Sequence, residues 1–166
     1  ISASLVGSEM CIRDRYLILF SSALEPILEY KIIMNKLVID AASEKIFLMI
    51  ITKDDIYNIT KENTKINYEK LTLILKDFLN TNRLKLEDIQ KIYVNKGPGS
   101  FAGIRNSLSM VKAFNVARKI DYYCYSFEDF KDQKDIKYMD IPDLCDKFKI
   151  KKNLINPIYL LSLIHI

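Results

Sequence analysis

YVNKGPGSFAGIRNSLSMVKAF, residues 93–114, gathers three of the chain's four glycines into seven consecutive positions. A β-rich run, Lys91 to Asn95, leads into them, and helix-forming sequence continues to about Arg118. A strand, a sharp glycine turn and a helix in immediate succession predict an α/β unit. Such a loop places backbone N–H groups at a helix N-terminus, where they can cradle an anion. The spacing misses both common phosphate motifs. No Lys follows a glycine at the Walker A offset, and Gly97-x-Gly99-x-x-x-Gly103 is not GxGxxG. Gly97, Pro98, Gly99, Ser100, Phe101, Gly103 and Arg105 therefore form a candidate loop with two readings: a structural turn that lets helix and sheet pack closely, or a weak anion contact.

Working outward from the loop, Lys36 to Asp40 (KLVID) is a short β-rich run ending in an acid, and Ala41 to Glu44 reads as a turn. Lys45 to Thr52 (KIFLMIIT) is almost continuously apolar, the pattern of a strand buried on both faces. A turn at Asp54-Asp55 leads into Ile56 to Thr60, so three strands form an antiparallel meander. Asn67 to Asn80 has helical period, with Tyr68, Leu71, Ile74, Leu75, Phe78 and Leu79 on one arc, Leu73 apart from it, and Asn67 as N-cap. Leu86 to Ile89 starts a turn into the fourth strand, and Asp121 to Ser126 (DYYCYS) reads as a fifth. Helical crossovers between strands one, four and five predict that these three run parallel. The expected fold is a ribonuclease-H-like lobe of actin type, with a five-stranded mixed sheet, two main helices and a reduced second lobe. Pro142 to Lys149 is expected as a short helix, and Asn156 to Leu160 as an extended end.

Residues 34–130 are thus the main lobe and 131–160 a short remnant of a second one. Residues 1–33 are expected to be a non-native or untranslated leader, and 161–166 an artefactual tail. Ser4 to Arg15 and Leu161 to Ile166 resemble translated sequencing-adapter sequence, and Met34 opens the first convincing strand. No run reaches the roughly 18 to 20 apolar residues that span a bilayer.

Hydrophobic residues make up 49% of the chain and charged residues 28%, which fits a globular domain and argues against disorder. The formal charge of +4 comes from bases mixed with acids along the chain, the pattern of a solvated surface and not of a dedicated nucleic-acid site. Cys11, Cys124 and Cys145 have neither metal-ligand nor CxxC spacing and read as reduced thiols of a cytoplasmic protein. The sole histidine, His165, lies in the suspect tail. The lobe therefore offers no histidine metal site, no Ser–His–Asp triad and no paired carboxylates, and neither metal nor cofactor is expected. Asp40 at the end of the first strand, with Ser43 nearby, marks where a nucleotide side would lie in an actin-type fold. Either residue equally well closes the hairpin.

The loop Gly97-Pro98-Gly99-Ser100-Phe101, Gly103 and Arg105 resembles the GPGSFTG-[LIV]-R hallmark of the TsaB family, with Ala102 replacing the usual Thr. LVIDAASEK resembles that family's first hairpin through Asp40 and Ser43, and Pro157, Tyr159 and Leu160 its closing Pro-x-Tyr-Leu. The likeness is good over residues 34–130 and thin beyond. It implies a Gcp-like domain in a non-catalytic scaffold, a dimerization subunit of tRNA threonylcarbamoyladenosine biosynthesis. The implied partners are the catalytic TsaD-type subunit, which modifies A37 of tRNA, a TsaE-type ATPase, and a second copy in a homodimer. The enzymatic alternative is an actin-fold phosphotransferase or ATPase using Asp40 and the glycine loop. A third is an inactive fragment.

The second helix adds a physical ground for partner binding. Ile104, Leu108 and Val111 form one apolar stripe, while Met110, Ala113, Phe114 and Ala117 form another. A helix lying on a sheet needs one stripe; the other packs on the first helix, meets a partner, or does both. The expected partner interface is Leu73, Met110, Ala113, Phe114 and Ala117.

Overall fold

The computed structural model describes residues 34–131, 133 and 135–159. The expected leader with Cys11, the tail with His165, and Leu160 lie outside the described residues. Five strands, β1 (Asn35–Asp40), β2 (Lys45–Ile51), β3 (Ile56–Glu62), β4 (Ile89–Asn95) and β5 (Asp121–Tyr125), form one sheet in the order β3-β2-β1-β4-β5. β2 is antiparallel to both β1 and β3, and β4 is parallel to both β1 and β5. The mixed sheet read from the sequence is the one observed.

Period-two alternation divides the strands between two cores. Leu37, Ile39, Leu48, Ile50, Ile92 and Val94 face one side. Val38, Met49, Tyr93 and Tyr125 face the other. The first side is covered by helices α1 (Lys65–Glu69), α2 (Leu71–Thr81) and α3 (Phe101–Arg118), which contribute Leu71, Leu75, Phe78, Ile104, Leu108 and Val111. Full burial of one such side chain stabilises the fold by about 1.5–3 kcal/mol. β3, at the sheet edge, is the least buried strand, which explains its polar alternation.

The first helical region differs from its expected form. Thr64, not Asn67, is the N-cap: its backbone is extended and its hydroxyl accepts the Asn67 N–H at 3.2 Å. Asn67 instead sits inside α1, and its side-chain amide donates to the Glu62 carbonyl at 2.8 Å. Two short polar residues three positions apart compete for the capping role, and the strand end decides between them. Lys70 then leaves helical geometry (φ −93°, ψ 8°) and divides α1 from α2.

Residues after β5 cover the second face of the sheet. Tight 3-10 turns at Phe127–Phe130 and Tyr138–Asp140 lead to α4 (Ile141–Lys147), and Phe130, Ile141, Leu144 and Cys145 complete the second core. Among the described residues, the stretch expected as a remnant lobe is this cover.

The chain then returns along β5. Asn153, in left-handed conformation (φ 58°), is the anchor. Its Oδ1 accepts the Tyr122 N–H at 3.0 Å, and its Nδ2 donates to Asp121 at 2.7 Å. Its own N–H donates to the Tyr122 carbonyl at 2.8 Å. Residues 156–159 add no strand, but the Ile158 N–H donates to the Lys96 carbonyl at 2.8 Å. Asn153→Ala is expected to lower the unfolding free energy by about 2 kcal/mol, because it strips the amide of the buried Tyr122 of its acceptor. Equilibrium urea denaturation measures this; a loss below about 0.5 kcal/mol would show that the anchor does not hold the returning segment.

Candidate functional site

Asp40 ends β1 fully buried, and both of its oxygens are occupied from within the chain. Oδ1 accepts the N–H groups of Ala42 (2.9 Å) and Ser43 (3.1 Å). Oδ2 accepts the hydroxyls of Ser43 (2.7 Å) and Tyr138 (2.8 Å). A carboxylate has about four acceptor positions, and here four donors meet them. The two backbone bonds close the β1–β2 turn. The Tyr138 bond ties that turn to the cover on the second face, where the Tyr138 ring stacks on Phe47 with centroids 4.0 Å apart. Burial, reinforced by the Asp40 charge, pushes the Tyr138 hydroxyl above its usual range.

The glycine loop lies against the same turn. Gly97 has φ 102°, left-handed geometry that favours glycine, and its N–H donates to Asn95 Oδ1 at 2.9 Å. A Cβ on Gly99 would collide with the Ala42 carbonyl, and one on Gly103 with the Ala41 carbonyl and the Tyr68 ring. The Ser100 N–H donates to the Ala42 carbonyl at 2.8 Å, and Ser100 Oγ caps α3 by accepting the Gly103 N–H at 3.4 Å. Pro98 has no N–H to offer. Gly97, Ser100 and Gly103 thus direct their amides into the fold. Phe101 is exposed and packs on Tyr159 with centroids 4.9 Å apart; Arg105 is exposed.

Of the helix residues singled out for a partner, Leu73, Ala113 and Ala117 are exposed and Phe114 is half-buried against the first core. Met110 is placed differently: it is only 7% exposed and belongs to that core, so it is not available on the surface. Its stripe is split because α3 turns position 110 toward its own domain. Among the described residues, no group of three or more His, Cys, Asp or Glu is arranged to hold a metal ion. Tyr138 and Asn95, the partners of Asp40 and Gly97, were not singled out from the sequence. Tyr138 lies 98 positions from Asp40, too far for any local pattern to link them.

A β3-β2-β1-β4-β5 sheet with helices over one face, an acid closing the first hairpin and a glycine loop seated on it define an actin-like α/β lobe. Known proteins place it further. The family described as "TsaD: tRNA N6-adenosine threonylcarbamoyltransferase" matches residues 62–126. The tRNA threonylcarbamoyladenosine biosynthesis protein TsaB of Buchnera aphidicola subsp. Schizaphis graminum (strain Sg) is 26% identical over 87 residues, covering 52% of this chain and 41% of the relative. The solved structure of YeaZ from Pseudomonas aeruginosa superposes with a TM-score of 0.52 at 18% identity, over 56% of this chain and 44% of that one. An uncharacterized protein with similarity to peptidase YEAZ from Pseudomonas aeruginosa gives the same TM-score, 0.52, at 18% identity. The two structures establish likeness of fold. These matches make the chain similar to TsaB (YeaZ) proteins, in sequence over about half of its length and in fold. The chain spans about two fifths of the length of the curated relative it matches, at 41%.

Two consequences of the geometry are open to measurement. Tyr138→Phe removes one hydrogen bond to a buried carboxylate and is expected to lower stability by about 1.5–3 kcal/mol in urea denaturation. Alkaline pH should also weaken the fold. Burial pushes the thiols of Cys124 and Cys145 up to about 12. A group raised in the folded state binds its proton more tightly there than in the unfolded chain. Its contribution is complete below the unfolded thiol range, near 8.5, and is lost as pH rises toward 12. Stability should therefore fall between pH 8.5 and 11, with a shallower slope in Cys145→Ala; an unchanged slope would contradict this.

Proposed function

We propose that the chain is a non-catalytic scaffold in tRNA threonylcarbamoyladenosine biosynthesis. It binds the TsaD-type catalytic subunit and supports threonylcarbamoyl transfer to A37 of tRNA. The observation that carries this reading is the occupancy of Asp40. An actin-type phosphotransferase needs that acid free to face metal and nucleotide; here its oxygens hold the first hairpin and the cover together. Similarity to a TsaB protein supplies the biochemical setting. In this scheme the glycine loop fixes α3 on the sheet, and Asp40 and Ser43 are remnants of a nucleotide side that now serve the fold.

α2 and α3 supply the docking surface. Leu73 is 57% exposed on α2, and Ala113 and Ala117 lie four residues apart on the outer side of α3. Small residues at that spacing let another helix approach closely, and burial of Leu73 adds about 1.5–3 kcal/mol. Within this reading a TsaE-type ATPase joins the same assembly, the free chain pairs through the same helices as a homodimer, tRNA is contacted only indirectly, and the assembly works in the cytoplasm. Among the described residues, no helix is long and apolar enough to cross a membrane.

Co-expression with the TsaD-type subunit of the same genome tests the proposal. The unaltered chain should co-purify with it. Ala117→Glu should keep the thermal melt of the unaltered chain, since position 117 is exposed, and lose co-purification. Capture of the variant at normal strength, or failure of the unaltered chain to bind, would count against it.

A further inference from the structure

A groove of about 630 Å³ runs between α3 and the returning C-terminal segment. Leu108, Ala113 and Val116 line it from the helix, and Ile155 and Pro157 from the segment. Val116 is 63% exposed and Ile155 37%, so apolar surface there faces solvent. Arg105 and Lys112 stand on its wall, and among the described residues no acidic side chain lines it. The ion pairs of the described residues involve Lys36, Lys45, Lys96, Arg118 and Lys152, leaving Arg105 and Lys112 without an acidic partner.

We propose that this groove is a docking site for an amphipathic helix of another protein that carries two acidic residues seven positions apart, with small or apolar residues between them. The spacing comes from α3 itself. Arg105 and Lys112 are two turns apart, roughly 10 Å along the axis, and Ser109 between them with Ala113 just beyond Lys112 leaves room for a second helix backbone. Helices packed nearly side by side keep residues at i and i+7 facing the same partner row, so acids at that spacing meet both cations. Charge complementarity also selects the class of occupant. A second copy laid groove to groove would bring cations against cations. RNA would use the two charges but leave the apolar walls unmatched, whereas an apolar stripe flanked by acids matches both. The site shares Ala113 with the surface proposed for the catalytic subunit but does not rest on that assignment.

The test uses the full chain and a synthetic helical peptide of about 20 residues, with Glu at two positions seven apart and Leu or Ala on the same face. A matched peptide with Lys at those two positions is the control. Fluorescence anisotropy should show the Glu peptide binding at least about tenfold more tightly than the Lys peptide, the difference shrinking with added salt. The double variant Arg105→Glu, Lys112→Glu should reverse that preference, and its gain of the Lys peptide would itself report an intact groove. Equal affinities, no binding of either peptide, or tighter binding of a single-stranded RNA oligonucleotide than of the Glu peptide would overturn the proposal. So would a dimer in sedimentation that Val116→Glu dissociates. Loss of peptide binding while the TsaD-type subunit still co-purifies would refute this site and leave the scaffold reading standing.

Discussion

The close approach of two backbone segments governs this fold. The carbonyls of Ala41 and Ala42, just beyond β1, press against Gly103 and Gly99 at the start of α3. Any side chain at either glycine would displace α3 from the sheet, and with it Ile104, Leu108 and Val111 from the first core. The turn that presents those carbonyls is itself shaped by Asp40, whose Oδ1 gathers the next two free N–H groups. The Ser100 N–H completes the junction on the Ala42 carbonyl. One buried carboxylate and two absent side chains thus set where α3, the longest helix among the described residues, lies.

The same junction reaches the far side of the sheet. Tyr138 bonds Asp40 from the cover while its ring stacks on Phe47 of β2. The returning segment meets the loop through Ile158, whose carbonyl fills the space a Gly97 side chain would need and whose N–H bonds Lys96. Helix layer, sheet and cover therefore share one polar centre. An acid held by four donors is a fixed structural element, and binding metal or phosphate there would require part of that centre to come apart.

Much of this was legible in the sequence because the signals were local. Period-two alternation and near-continuous apolar runs marked all five strands, and the crossover rule gave their directions, since both depend on neighbours in the chain. The glycine loop announced a close contact without saying with what; its partner carbonyls lie more than 50 positions upstream. The cover was illegible for the same reason: Tyr138, Phe130 and Cys145 matter through contacts with strands far away in sequence. At Asn67 two capping signals competed, and the Glu62 carbonyl drew Asn67 away from the cap. Met110 was misplaced because helical periodicity resolves an angle around an axis, and a half-buried helix between sheet and neighbour hides more than one stripe.

If the polar centre belongs wholly to the fold, the chain has no nucleotide site of its own and acts through its surfaces. Isothermal titration of the full chain with magnesium and ATP tests that most directly. The account predicts no binding tighter than about 1 mM. A dissociation constant well below that value, abolished by Asp40→Asn in a chain that still melts cooperatively, would contradict it.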